Sequence, residues 1–121
     1  MSDPFFDTNI LIDWLKDLSP ARAELGRYRR HRISRIVWTE VLAGASLERR
    51  SEVREAIAPF DVVEIDARIA EAAADIHHRS RMRLMDAYIL ATAQVNGAIL
   101  ITRNTKDFPA NMPGIRVPYI L

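Results

Sequence analysis

The stretch from residue 98 to 102, AILIT, is apolar almost end to end, with Gly97 before it and the polar run RNTKDFP after it. A segment this short has no polar face to offer water. It reads as a strand covered on both sides, the habit of parallel sheets packed between helices.

The rest of the chain supplies the covering helices. FF at residues 5–6 reads as the end of a first strand, with Pro4 ahead of it where a missing N–H does little harm. From Thr8 the apolar residues Ile10, Leu11, Trp14, Leu15 and Leu18 recur at helical spacing, and Ser19-Pro20 opens a second helix. ISRIV reads as the next strand. WTEVLAGA then reads as a helix capped by Thr39, and helical character runs on through LERRSEVREAIAPF, with a break near Arg50-Ser51 and a stop at Pro59. DVVEI is a third strand. A helix opening on Asp66 buries Ile69, Ala73 and Ile76, and MDAYILATAQVNG forms another with Gly97 just past its end. IRV or VPYI supplies a last edge strand, limited by Pro118. Strands alternating with helix pairs predict an α/β fold: a three-layer α/β/α sandwich over a central, mostly parallel sheet of four to five strands, one domain across residues 1–121.

Composition narrows the chemistry. With 121 residues and 49% hydrophobic side chains, one core can form. No apolar run has the length of a membrane span and the first residues lack a signal-peptide pattern, so a cytoplasmic protein is expected. The absence of cysteine removes disulfides, thiolate catalysis and Cys-ligated zinc. No G-x-S-x-G or glycine-rich phosphate loop exists, and His31, His77 and His78 lack metalloprotease spacing, which leaves solvated surface as their expected setting. The positive residues are 15 Arg and 2 Lys, grouped at 27–35 and 79–83. Arginine's planar fork suits phosphate, although solvated helix faces explain such clusters equally well.

In parallel sheets, ligands bind beyond the carboxyl ends of the strands. Asp7 ends the first strand, Glu40 lies beyond the second, Asn104 lies beyond AILIT, and Asp86 begins the helix before it. Each has a plain structural reading. Asp7 suits a helix cap, Glu40 and Asp86 suit first-turn acids, and Asn104 suits a turn residue before Asp107. Gathered together, the acids repel one another unless a cation settles them, and an oxygen-only donor set suits Mg²⁺ or Mn²⁺. Phosphodiester hydrolysis is the natural use of such an ion. Asp7 and Asp86 are then the main anchors, and Glu40 an outer ligand or the group that orients water. Thr8, Asn9 and Thr102 stand beside them as hydrogen-bonding braces.

FFDTNILID, WTEVLAGA, MDAYILATA and ILITRNTKDF, in this order, resemble the acidic motifs of PIN-domain proteins, especially VapC-type toxins of toxin–antitoxin pairs. The resemblance runs from about Phe5 to Phe108 and implies a metal-dependent endoribonuclease acting on tRNA or rRNA, usually a homodimer, silenced by a cognate VapB-type antitoxin. The family's successive acids match Asp7, Glu40 and Asp86. The fourth position matches Asn104, where many members carry aspartate, and Asp107 is a candidate to compensate.

Arg79, Arg81, Arg83 and Arg103 lie beside these positions as candidate RNA contacts. Trp14, Leu15, Leu18, Leu25 and Tyr28 are either core or part of an antitoxin groove. A PIN-like module that binds RNA or protein without turnover is the second reading, supported by Asn104. A receiver-like phosphoacceptor is disfavoured, because Asp3 is misplaced before Pro4 and Lys106 is the only late lysine.

Overall fold

A computed structural model describes residues 3–121. Five strands form one sheet: β1 (Phe5–Phe6), β2 (Arg32–Ser34), β3 (Asp61–Val63), β4 (Leu100–Ile101) and β5 (Ile115–Arg116). Their order is β3-β2-β1-β4-β5 and every pairing is parallel. Parallel neighbours need crossovers, and helix pairs supply the first three. These are α1 (Thr8–Leu15) with α2 (Ser19–Leu25), α3 (Arg35–Ala43) with α4 (Arg50–Ile57), and α5 (Ala67–Ser80) with α6 (Leu84–Val95).

The chain steps outward from β1 to β3, then returns across the sheet to set β4 on the other side of β1. With right-handed crossovers, that reversal puts α5 and α6 on the face opposite the earlier helices, giving the three-layer α/β/α arrangement. It also makes the gap between the carboxyl ends of β1 and β4 the point where strand order changes direction. Phe5, Phe6, Ile33, Leu100 and Ile101 are buried along the sheet, and Ile69, Ala73 and Ile76 of α5 are buried as their spacing predicts. Gly97 has φ +62°, the left-handed conformation that glycine adopts without steric cost after a helix end.

The local differences from the sequence reading have identifiable causes. ISRIV is not a strand throughout: β2 stops at Ser34, whose Oγ accepts the Ile36 N–H at 3.0 Å and starts α3. Capping and the helical spacing of buried Val37 and Val41 override the β-propensity of the run. Thr39 is therefore no cap. It lies inside α3 and its hydroxyl donates to the Arg35 carbonyl at 2.9 Å. The helix break falls earlier than Arg50-Ser51, since α3 ends at Ala43 and α4 begins at Arg50. The last strand is Ile115–Arg116, leaving VPYI without strand structure.

His31 is half-buried rather than solvated: its ring meets Phe6 edge-on at 5.6 Å and its Nε2 lies 2.7 Å from the Leu25 carbonyl. Leu25 is core, while Trp14, Leu15 and Tyr28 are half-buried against it. Among the described residues no helix is long and apolar enough to cross a membrane.

Candidate active site

Strand register builds the centre of the site. Phe5 pairs with Leu100 and Phe6 with Ile101, and the Asp7 N–H extends the ladder to the Ile101 carbonyl at 2.9 Å. The next positions, Asp7 and Thr102, therefore stand side by side beyond the strand ends. The Thr102 hydroxyl donates to Asp7 Oδ2 at 2.7 Å. Asp7 Oδ1 accepts the Thr8 N–H at 2.8 Å, so the same carboxylate caps α1. The cap and the strand-end acid are one group. Asn9 Nδ2 donates to Asp7 Oδ2 at 3.3 Å, and Thr102 Oγ1 also accepts the Asn104 N–H at 2.9 Å.

Asp7 is only 4% exposed. Burial disfavours its charge, hydrogen bonds from Thr102 and Thr8 partly offset that, and the negative charges of Asp86 and Glu40 add to the penalty. The carboxyl is pushed up to about 6. Asp86, buried in the first turn of α6, is also raised, first by burial, with Asp107 and Glu40 adding repulsion and Arg83 pulling it back. Glu40, in the last turn of α3, accepts the Thr8 hydroxyl at 2.5 Å. Asp7, Glu40 and Asp86 thus act on one another electrostatically, as three carboxylates at the sheet's switch point.

Arg83 and Asn104 are less simply placed. Arg83 Nε donates to Asp86 Oδ2 at 3.1 Å, and a terminal nitrogen of the same guanidinium lies 3.6 Å from Asp107 Oδ2. Asn104 turns toward Asp107: its Nδ2 donates to Asp107 Oδ2 at 2.8 Å and its Oδ1 accepts the Asp107 N–H at 3.3 Å. That is the turn geometry which its residue type favours. Asn104 reaches the acids through Thr102 and Asp107, and Asp107 lies within the field of Asp86.

Arg79 and Arg81 are exposed, at the end of α5 and just past it. Arg103 is not free in the same way. Its Nε and a terminal nitrogen donate to Asp13 at 2.6 and 2.8 Å, and this fork removes it from the set of unengaged phosphate binders.

Sequence reading missed Asp13. It is buried on α1, and it also accepts the Tyr119 hydroxyl at 2.7 Å. Together with Arg103 N–H donating to Asn9 Oδ1 at 3.1 Å, this pair ties the segment after β4 to α1. The signal was present: Asp13 interrupts the apolar stripe of Ile10, Leu11 and Trp14, and an acid there needs a cation. Glu24 has the same character, buried on α2 under the Arg116 fork.

Among the described residues, no three acidic or imidazole side chains close on a common point as they stand. The chemistry of the donor set nevertheless fits a hard divalent cation. Two buried carboxylates with raised pKa values and a third within their field are all oxygen donors, and their repulsion is the kind that a dication removes. Asp7, Asp86 and Glu40 are the residues that could hold it.

A family model, PIN domain, matches residues 5–111. Among solved structures, the chain of a toxin–antitoxin complex from Klebsiella pneumoniae is 40% identical, with 98% of this chain and 99% of that one covered at a TM-score of 0.90. DNA-bound VapBC from Salmonella typhimurium matches at 26% identity over 96% of each chain, TM-score 0.76. FitAcB from Neisseria gonorrhoeae matches at 21% identity over 97% of this chain and 99% of that one, TM-score 0.79, a likeness of fold. No curated protein sequence matches significantly. With its acids at the β1–β4 switch point and the family match spanning nearly the whole chain, this protein belongs to the PIN-domain family.

Proposed function

We propose that the chain, as one PIN unit, is a VapC-type toxin: a metal-dependent endoribonuclease that hydrolyses phosphodiester bonds in RNA of the tRNA or rRNA class. The observation that carries this reading is the arrangement beyond the ends of β1 and β4: buried Asp7 is held by Thr102 and by the Thr8 N–H, the Thr8 hydroxyl reaches Glu40, and buried Asp86 lies within the field of these acids. Asp7 and Asp86 hold Mg²⁺ or Mn²⁺, with Glu40 completing the set or orienting the attacking water. When bound, the ion polarises a phosphodiester oxygen and favours attack by water. Thr102 and Asn9 fix the Asp7 carboxylate, and Thr8 fixes Glu40 Oε1, so both acids are oriented before substrate arrives. Asn104 acts from behind, by holding Asp107. Arg79, Arg81 and Arg83 meet RNA phosphates on the exposed approach.

An antitoxin partner is supported by the 40%-identical chain, which comes from a toxin–antitoxin complex. A groove of about 950 Å³ between α1, α3 and α4, lined by Ile12, Leu15, Val41 and Val53, suits an amphipathic helix of a VapB-type antitoxin. The toxin acts as a homodimer in the cytoplasm.

The second reading, an RNA- or protein-binding module without turnover, draws on Asn104 and on the engagement of Asp86 by Arg83. The test is cleavage of a tRNA and rRNA pool by wild type and Asp7→Asn, in Mg²⁺ and in EDTA. Mg²⁺-dependent cleavage lost in the variant is expected. Equal, metal-independent background from both proteins would leave only the binding reading.

A further inference from the structure

We propose that Arg83 is a resident counter-ion of the carboxylate pocket, displaced from Asp86 when a dication binds, and that the released guanidinium then meets an RNA phosphate. The inference rests on the proposed function and deepens it: metal binding and RNA binding reinforce each other through one side chain.

The geometry carries it. Arg83 bridges Asp86 and Asp107, at 3.1 and 3.6 Å, and Glu40 adds to the negative field around it. Its side chain is 76% exposed while Asp86 is 8% exposed, so a solvent-facing cation sits on a buried anion. The backbone beneath it is fixed. Met82 is buried, its carbonyl lies 2.6 Å from His77 Nδ1, and its N–H donates to Ser80 Oγ at 3.2 Å. The Arg83 carbonyl accepts the Ala87 N–H at 2.9 Å as α6 begins.

Arg83 can therefore exchange partners by side-chain rotation alone, with no change in the chain path. The guanidinium end of the pair is solvated and loses little on leaving, whereas buried Asp86 would be left uncompensated, so the exchange is favourable only when a dication takes the guanidinium's place. A guanidinium also cannot take up the repulsion at Asp7, where the nearby charges are those of Asp86 and Glu40. A dication lying among the three would relieve both buried acids, and it would repel Arg83 outward, toward the side from which a phosphate arrives.

The test is calorimetric titration of Mg²⁺ into wild type, Arg83→Gln and Arg79→Gln. The last removes the same charge from an exposed residue elsewhere on the approach. Arg83→Gln should bind Mg²⁺ about five-fold tighter than wild type, and Arg79→Gln within about two-fold of it, since screening blunts distant charges. The wild-type Arg83 Nε–H resonance should move as Mg²⁺ is added. Mg²⁺ should tighten anisotropy-monitored binding of a chemically stabilised hairpin RNA to wild type more than to Arg83→Gln. Equal or weaker Mg²⁺ binding by Arg83→Gln, an equal gain in Arg79→Gln, a stationary resonance, or the same Mg²⁺ effect on RNA in both proteins would overturn the inference while leaving the nuclease reading intact. A wild type that takes up no dication would remove that reading itself.

Discussion

Replacing Asp7 by Asn should stabilise the metal-free protein at neutral pH while abolishing its proposed activity. The ordinary carboxyl value is 3.8 and burial with like charges lifts it to about 6. That difference corresponds to roughly 3 kcal/mol carried by the ionised form in the folded state. The amide keeps an acceptor for the Thr8 N–H but loses the charge-assisted bond from Thr102, a loss of about 1 kcal/mol. The net gain is therefore on the order of 2 kcal/mol, or roughly 6–12 °C in Tm for a domain of this size.

Its pH dependence follows from the direction of the shift. A carboxyl raised in the folded state contributes stability that is fully present below pH 3.8 and is lost as pH rises through about 6. The variant should thus be the less stable by about 1 kcal/mol at pH 3.5, where only the lost Thr102 bond counts, overtake wild type as pH rises towards 6, and hold a constant lead above about pH 7. Thermal unfolding in EDTA across that range measures it. Adding Mn²⁺ at pH 7.5 should then stabilise wild type by about 2.7 kcal/mol at a hundred-fold excess over Kd, with Tm climbing further as the logarithm of the concentration, and with a much smaller response in the variant. A variant no more stable than wild type at pH 7.5, or one already the more stable at pH 3.5, would refute the reasoning.

Asp13→Ala strands the Arg103 fork and the Tyr119 hydroxyl, and should cost about 3 kcal/mol in urea unfolding, with Asp13→Asn costing less; a loss under roughly 1 kcal/mol would show the pair to be peripheral. Thr102→Val removes the hydroxyl that fixes Asp7 Oδ2 and should weaken Mn²⁺ binding about 10-fold or more, measured calorimetrically; unchanged affinity would mean that Asp7 needs no brace.

The sheet was readable because AILIT and FF admit few alternatives: each is too short and too apolar for an amphipathic helix, and the helices between them dictate parallel pairing. The start of α3 was not readable by propensity, because one serine hydroxyl and the burial of Val37 and Val41 outweigh a β-branched run. At the site, strand ends located Asp7 and Thr102, since register follows from pairing. Asn104 illustrates the limit. Sequence spacing puts it near the acids, but its side-chain direction depends on a local hydrogen bond to Asp107 that outcompetes a longer reach. The pairing of Arg103 went unforeseen for the same reason as Asp13 was missed, since a cation and a buried acid far apart in sequence reveal each other only once folded.

Nothing in the pocket lets Asp7 relax. Rotating its carboxylate toward water would uncap α1 and unpair Thr102, and Thr102 is itself engaged by the Asn104 N–H. The backbone on both sides is pinned by the β1–β4 ladder, and the segment after β4 is tied to α1 by Arg103 with Asp13 and Asn9. The repulsion is thus held by cooperative elements far more stable than any one side-chain bond. Charges fixed in this way need little reorganisation to receive a dication, which is why a pocket that weakens the free protein can strengthen binding. The same fixity leaves exposed Arg83 as the member of the cluster that can change partners, which is the exchange proposed for it.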